Sequence, residues 1–453
     1  MSLEEYIKAR QKEPEPAAGS GKYDFEKLCT LIKEAFFEDW ENRESSGVTL
    51  EIQKRAIIGY EKEKDFFKSR INELIREFES AGTQYPLWYE NLTDAVYHEN
   101  WGLAGLSEWF LDEWRGSSSA KIIGENIFFM KDGKMQLMPQ TISPERKDQL
   151  IKALMLLTPE ERMNKAYYEL YMLDGTRVTI FTEPLAKKGN SSIVFRRYII
   201  PTLSFEEQAR RGTIPKDLIP ALRCMVDIGY NVIFMGAVRT AKTTFLATYQ
   251  SYEDKNLEGV MVETDPEIPL HLLMPRSPVM QLIADGDELS MISKSLLRSD
   301  ADYFIMAEAR DGIALDTALR IASKGTKRMK LTFHSRNPYH FPLEAAMEIA
   351  NTTGGDIDLI MKKLAANFDY LFHFIQLKDK RLKRLKGIYE MGLDKDGNIN
   401  INELLSYDFG QDKWKLSYCL SPDKEAYGKE SDQAGFNMFK TELERLSESG
   451  FIS

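Results

Sequence analysis

The sequence predicts an α/β protein: a mostly parallel sheet with helices on both faces, preceded by a smaller α+β domain and a helical N-terminal extension. Three observations lead there. From Pro215 onward, apolar strand-like runs at 230–235, 259–263, 303–307, 330–334 and 370–377 alternate with helix-competent segments, the pattern of a parallel sheet. Between 86 and 205 the chain carries short strands about Asp-Gly turns, the pattern of a compact α+β domain. From Tyr23 to about Ser80 it is rich in Glu, Lys, Ile and Leu with few breakers, which reads as amphipathic helices. The expected domains are therefore 1–85, 86–205 and 206–453.

Each element has a local reason. Residues 1–22 are polar and include KEPEPAAGSGK, a flexible tether. In EKEKDFFKSRINELIREFE (61–79), Phe67, Ile71, Leu74 and Ile75 recur at helical spacing; that face packs against the next domain or docks a partner. NIFFMKDGKMQLM (126–138) is a hairpin about Asp132-Gly133, and YYELYMLDGTRVTIF (167–181) is a second about Asp174-Gly175. Ser143-Pro144-Glu145 starts a helix, with Ser as N-cap and Pro at the first position. SIVFRRYI (192–199) is a further strand, and Pro201 and Pro215 bracket a linker. NMFKTELERLSESGF (437–451) reads as an amphipathic helix packed on its own domain.

Composition narrows the function. The net charge of −10 disfavours a general binder of nucleic acid or acidic membrane. Cys29, Cys224 and Cys419 are widely spaced, which argues against a disulfide framework or zinc site and fits a reducing cytosol. No apolar stretch reads as a signal peptide or a transmembrane helix, so any membrane association comes through partners. DKDGNININELL (394–405) imitates a calcium loop. It fails where Ile399 replaces the required Gly and Leu405 the required Glu, and Asp396-Gly397-Asn398 is better read as a hairpin turn. KDKRLKRLK (378–386) is a solvated strand-turn-strand or a contact with an anionic lipid, nucleic acid or partner.

The most informative stretch is YNVIFMGAVRTAKTTFLATYQS (230–251), an apolar strand, a loop and a helix. Gly236, Thr240, Ala241, Lys242, Thr243 and Thr244 fall where a phosphate-binding P-loop needs them. Lys242 would neutralise β- and γ-phosphate charge, the Thr243 hydroxyl would ligate Mg²⁺, and N–H groups at the helix start would hold phosphate oxygens. Ala241 stands where the motif has its second Gly, so a left-handed backbone there would be strained. Two later strands end in acids that such a site needs for metal and water. GVMVETDPEI (259–268) delivers Glu263, Asp265 and Glu267, and DADYFIMAEARD (300–311) delivers Glu308, with Arg310 two residues on. KLTFHSRNP (330–338) places His334 at the end of a further strand.

Together these pieces resemble the hexameric secretion-superfamily ATPases, the motors of type II and type IV secretion and of Tad/Flp-type pili, with the Tad-type branch closest. The resemblance runs from about Gly102 to the C-terminus and rests on four ordered boxes. They are the P-loop Gly236–Thr244; an Asp box at Glu263-Thr264-Asp265-Pro266-Glu267; a Walker B strand ending Ala307-Glu308-Ala309-Arg310; and a His box at Thr332-Phe333-His334-Ser335-Arg336-Asn337-Pro338. GTRVTIF and SIVFRR upstream are similar to the family's N-terminal domain. Departures are Ala241, Ala307 for the Walker B Gly, and Thr326-Lys327-Arg328 after Gly325, where the family has a Gly-His-x-Gly turn. These put hydrolysis rate in question more than binding.

The resemblance implies a RecA-like P-loop ATPase core with a smaller α+β N-terminal domain, and ATP and Mg²⁺ as cofactors. Thr243 and Glu308 would be the metal residues, with one of Glu263, Asp265 or Glu267 sharing the work on metal and water. His334 would sense the γ-phosphate. Arg196, Arg197 or Arg210 would serve as charge-stabilising fingers. It further implies a cytoplasmic homo-hexamer, peripheral at the inner face of the cell membrane through an inner-membrane platform protein. The expected function is an ATP-hydrolysing motor subunit for pilus assembly or protein secretion. The alternatives are a nucleotide-binding, hydrolysis-poor structural or regulatory paralogue, and a DNA-translocating ATPase, which the acidic charge opposes.

Overall fold

The computed structural model describes residues 21–41, 46–155, 167–197 and 203–453. The N-terminal tether, apart from its last two residues, and Pro201 lie outside them. The chain divides into two compact units, Met1–Ile199 and Ile200–Ser453.

In the first unit, helices α1 (Phe25–Glu41), α2 (Ser46–Ile58), α3 (Glu61–Glu77) and α4 (Leu92–Asn100) come first. The face of α3 read from the sequence, Phe67, Ile71, Leu74 and Ile75, is buried. It packs within the helical cluster itself, against Phe36, Tyr97 and Trp101, rather than offering itself to a partner. Two 3₁₀ turns follow and lead into an antiparallel sheet: β1 (Ser119–Ile123), β2 (Asn126–Lys131), β3 (Lys134–Thr141), β4 (Tyr167–Tyr171), β5 (Arg177–Phe181) and β6 (Ser192–Arg196). Its order is β3-β2-β1-β6-β5-β4. Both predicted hairpins form, with Lys131 paired to Lys134 and Tyr171 to Arg177. Helix α5 (Pro144–Met155) begins as expected, Ser143 Oγ accepting the Arg146 N–H at 3.2 Å. Arg146 then reaches back to the end of α4, donating to the carbonyls of His98 (3.1 Å), Glu99 (2.5 Å) and Gly102 (2.6 Å). Those carbonyls lack partners in the helix, and a cation is what a helix C-terminus favours.

The second unit is built on a ten-stranded sheet. Its parallel strands are β7 (Val232–Gly236), β8 (Gly259–Glu263), β9 (Val279–Ile283), β10 (Tyr303–Met306), β11 (Lys330–Phe333) and β12 (Tyr370–Gln376). β13 (Lys383–Leu393), β14 (Ile399–Asp408), β15 (Lys413–Leu416) and β16 (Phe451–Ile452) extend it as an antiparallel meander. The parallel strands lie in the order β12-β7-β11-β10-β8-β9. One strand, β11, separates the P-loop strand β7 from the acid-bearing strand β10, which is the RecA-like arrangement.

Parallel strands are covered on both faces, so they read as unbroken apolar runs. Phe234, Met261, Ile305 and Phe372 point to one core, shared with α7 (Ile219–Ile228), α8 (Lys242–Ser251) and α15 (Gln433–Glu448). Ile233, Met235, Val260, Val262, Phe304, Met306 and Leu331 point to the other, shared with α11 (Gly312–Ser323), α12 (Phe341–Thr353) and α13 (Ile357–Asn367). Each fully buried Phe contributes about 1.5–3 kcal/mol relative to exposure. The predicted C-terminal helix is α15, with Phe436, Phe439, Leu443 and Leu446 inside.

Two elements differ from expectation. The segment read as a linker belongs to this unit. Ser204 caps a short helix, α6 (Phe205–Arg210), and Phe205 is fully buried, stacked on Tyr252 at 4.3 Å. One buried aromatic outweighs a polar flank. Strand β9 was not foreseen, because an edge strand of five residues with a central Gln281 gives no long apolar run.

Candidate functional site

The site forms where β7, β8, β10 and β11 end side by side. Strand β7 stops at Gly236, whose φ is +147°. A Cβ there would sit 2.2 Å from the Phe374 carbonyl oxygen of β12, so only glycine fits. The loop then turns through two non-glycine residues in left-handed conformation, Arg239 (φ +66°) and Ala241 (φ +73°). The strain foreseen at Ala241 is therefore real, ~1–2 kcal/mol for such a residue. Thr240 is buried and its hydroxyl donates to the Ala237 carbonyl at 2.9 Å, bracing the turn. Helix α8 starts at Lys242 with no side chain capping it. Its first N–H groups, at Lys242, Thr243 and Thr244, are the open donors that an anion satisfies.

Lys242 is buried, and its ammonium donates to the carbonyls of Gly236 (3.0 Å) and Ala237 (2.9 Å). Its Nζ also lies 3.3 Å from His334 Nδ1. Burial pushes its pKa down to about 8, against the attraction of Glu308 and Glu267. His334 continues the chain: its Nε2 is 3.3 Å from Glu308 Oε1. An ammonium can only donate, so the neutral imidazole that serves both partners carries its proton on Nε2. Arg310 grips the same Glu308 oxygen at 2.6 Å and reaches Asp265 at 3.7 Å. Burial would raise the Glu308 pKa, but the bonds from His334 and Arg310 prevail and hold the carboxyl below its ordinary range.

The three acids of the 259–268 segment part into three roles. Glu263 Oε1 accepts the backbone N–H groups of Glu267 (3.2 Å) and Ile268 (2.9 Å), folding the turn after β8. Burial pushes Glu263 up to about 8 despite those two bonds. Asp265 faces Arg310. Glu267 lies near the Thr243 side chain, whose hydroxyl favours its charged form, but burial followed by the Glu308 charge raises its pKa. The sequence left these three interchangeable; their backbone and side-chain partners separate them. Ala307 is buried at the end of β10 and its carbonyl accepts the Thr332 hydroxyl at 2.5 Å, which ties the Glu308 and His334 strands together.

The arginines are placed differently. Arg210, on α6, is held by Glu207 through two bonds of 2.7 Å. In the other unit, Arg197 lies over the Trp109 ring at 4.0 Å and donates to the carbonyls of Trp109 and Trp114, each at 3.3 Å. Arg196 is exposed on β6.

The Thr326-Lys327-Arg328 departure has a structural role that the sequence did not reveal. Arg328, itself left-handed at φ +60°, donates to the carbonyls of Val226 (2.8 Å) and Asp227 (2.6 Å) and pairs with Glu253. Lys330, 1% exposed, pairs with the same carboxylate at 2.7 Å. Glu253 lies just beyond the C-terminal end of α8, so this triad, in which Glu253 and Lys330 are buried and Arg328 partly so, joins the P-loop helix to the start of the His334 strand.

Among the described residues, no group of three or more His, Cys, Asp or Glu side chains could hold a metal by itself, and no helix is long and apolar enough to cross a membrane.

No family model matches the chain, and no curated protein matches it. Solved structures do. The chain is similar to the VirB11 ATPase of the Brucella suis type IV secretion system, in complex with sulphate, at 16% identity over 63% of this chain and 92% of that one (TM-score 0.34). It is similar to the pilus retraction motor PilT with bound ADP, at 15% identity over 75% of this chain and 91% of that one (TM-score 0.45). The Legionella pneumophila ATPase DotB gives 14% identity over 75% and 89% (TM-score 0.45).

Proposed function

We propose that this chain is an ATP-hydrolysing motor subunit of the secretion superfamily, driving pilus assembly or protein secretion through a membrane platform. One observation carries the reading. An uncapped P-loop helix, a buried lysine and a His–Glu–Arg chain converge at the C-terminal ends of four adjacent strands. That edge is where α/β sheets bind ligands.

The residues fit a nucleotide and its metal. Backbone N–H groups of Lys242, Thr243 and Thr244 would take phosphate oxygens, and Lys242 would leave its loop carbonyls for them. Mg²⁺ typically keeps several waters and binds through substrate phosphates and one or two protein groups. The Thr243 hydroxyl and the nearby Glu267 suit that part, and Glu308 can complete the shell through water. When bound, Mg²⁺ would neutralise charge developing on the phosphates. Glu308, ionised and oriented by His334 and Arg310, would accept a proton from the attacking water as its oxygen bonds to the γ-phosphorus and the β–γ bridge breaks. Arg196 and Arg210 are both exposed; to reach a neighbouring site Arg210 would first have to leave Glu207, and Arg197 the Trp109 ring and its two carbonyls.

The chain would work as a cytoplasmic homo-hexamer of the Tad-type branch, docked on an inner-membrane platform protein. A second reading, a nucleotide-binding and hydrolysis-poor paralogue, is favoured by strained Ala241 and by the tight hold of Arg310 on Glu308. Mg²⁺-dependent ATP turnover, measured across protein concentrations beside Glu308→Gln, separates the two. Turnover that rises with assembly and falls ~10²–10⁴-fold in the variant supports the motor. Nucleotide binding with turnover equal to the variant's supports the paralogue.

A further inference from the structure

The basic run at 378–386, which the sequence left without a role, is the hairpin between β12 and β13. It adjoins the P-loop by strand register. Phe374 of β12 pairs with Gly236, the last residue of β7, and β12 continues two residues further to Gln376. The hairpin is braced: Leu377 N–H donates to the Leu382 carbonyl at 3.0 Å, and the Gln376 side chain to the Lys380 carbonyl at 2.8 Å. Its Asp379 is taken up by Arg381 at 2.9 Å. Lys383, at the base, is half-buried, and its ammonium donates to the Lys380 carbonyl.

Arg239 of the P-loop is exposed and lies within electrostatic range of Lys383. Among the described residues, neither cation has a carboxylate within ion-pair distance. Two unfavourable choices coincide. An arginine occupies a left-handed loop position that glycine would take without strain. A second cation stands at the base of the neighbouring hairpin, whose strand β12 pairs with β7, and burial together with the Arg239 charge holds the Lys383 ammonium below its ordinary pKa, against the pull of Asp379. Strain and like-charge proximity kept at a functional loop point to a ligand that relieves them.

We infer that Arg239 and Lys383 form a two-cation clamp at the mouth of the P-loop that binds the phosphate chain of the nucleotide. The inference rests on the nucleotide reading of the P-loop. It assigns to the hairpin part of the affinity that a loop lacking its second glycine forgoes. The ligand class is a nucleoside di- or triphosphate, recognised through charge-assisted bonds from a guanidinium and an ammonium. Arg381, already engaged by Asp379, lies outside the clamp.

The test is binding of ADP and of inorganic tripolyphosphate by the full chain, at two salt concentrations. The variants are Arg239→Ala, Arg239→Gly, Arg239→Lys and Lys383→Ala, with Lys242→Ala as reference. Arg239→Ala and Lys383→Ala each weaken both ligands roughly tenfold, with a shallower salt dependence. Arg239→Lys restores most of the loss. Arg239→Gly, freed of the left-handed strain, melts no lower than the parent yet binds ADP as weakly as the alanine variant, which separates binding from folding. Unchanged affinities in Arg239→Ala and Lys383→Ala, beside a loss in Lys242→Ala, overturn the clamp and leave the nucleotide site standing. So does a loss for ADP without one for tripolyphosphate, or a loss of self-association with affinity intact, which would seat the pair on an acidic surface of a second copy. A parent chain that binds neither ligand overturns the nucleotide reading itself.

Discussion

Lys242 Nζ and His334 Nδ1 stand 3.3 Å apart, so the P-loop lysine and the imidazole that holds Glu308 are in direct contact. A phosphate drawing Lys242 toward itself takes away one partner of His334, whose other nitrogen faces Glu308. On the proposed function, ligand capture and the orientation of Glu308 would thereby be coupled. His334→Ala is expected to lower turnover at least tenfold while changing ADP affinity less than threefold. Steady-state kinetics beside equilibrium binding check the split.

Proton linkage follows from the same lysine. Its pKa, pushed down to about 8 by burial, leaves it partly neutral at pH 8–9. An anionic phosphate favours the charged form, so binding takes up a proton, and affinity falls as pH rises above 8, by at most tenfold per unit. Calorimetry at pH 8.5 in buffers of different ionisation enthalpy is expected to show net uptake of up to about three-quarters of a proton. Lys242→Arg is expected to show none, since a guanidinium does not titrate in this range.

Glu263 has the opposite sign of shift, a carboxyl raised by burial to about 8 in the folded state. It contributes stability fully below its unfolded pKa, and that contribution is lost as pH climbs from there through about 8. The slope from this group is at most ~1.4 kcal/mol per pH unit. Glu263→Gln keeps an oxygen to accept the Glu267 and Ile268 N–H groups, so it is expected to flatten the loss between pH 5 and 8. Denaturant midpoints across that range, compared with the parent, decide it.

Ala241→Gly removes the left-handed strain but adds the freedom of glycine in the unfolded chain. The two terms, ~1–2 against ~0.5–1 kcal/mol, leave a net gain of about 0.5–1 kcal/mol. The C-terminal unit is expected to melt a few degrees higher. Thermal scans with and without ADP also show whether affinity rises with it.

Removing Glu253 leaves Arg328 and Lys330 facing each other without an anion. Glu253→Ala is expected to cost about 3–5 kcal/mol, and Glu253→Leu combined with Lys330→Met less than the sum of the single changes. Chemical unfolding of the three variants closes the cycle.

Much of this was legible in the chain. Strand β8 was read residue for residue, because strands buried on both faces announce themselves as apolar runs. Both Asp-Gly hairpins and the Ser143 cap were legible because turn chemistry is local. The acids Glu263, Asp265, Glu267 and Glu308 were legible as a group for the same reason as their strands. Which acid does what was not, because it depends on partners such as Thr243 and Arg310 that only the folded sheet brings near. Nor was the Arg328–Glu253–Lys330 triad, whose members lie on segments joined by nothing in the local pattern. Arg239 and Lys383 are far apart in sequence, and it is the β7–β12 register that brings their loops to the same edge of the sheet.

Strand β11 is pinned where it begins and carries His334 just past its end. Lys330 is clasped inside the protein by the carboxylate behind the P-loop helix, and three residues on Phe333 still packs in the sheet core. The strand is therefore anchored in the protein interior at both ends. Any displacement that a departing phosphate gives His334 must be absorbed by the backbone beyond Phe333, where Ser335 and Asn337 brace one another and Pro338 opens the turn into α12. On the proposed motor reading, movement at His334 would pass through that short segment, and α12 is the first element it would reach.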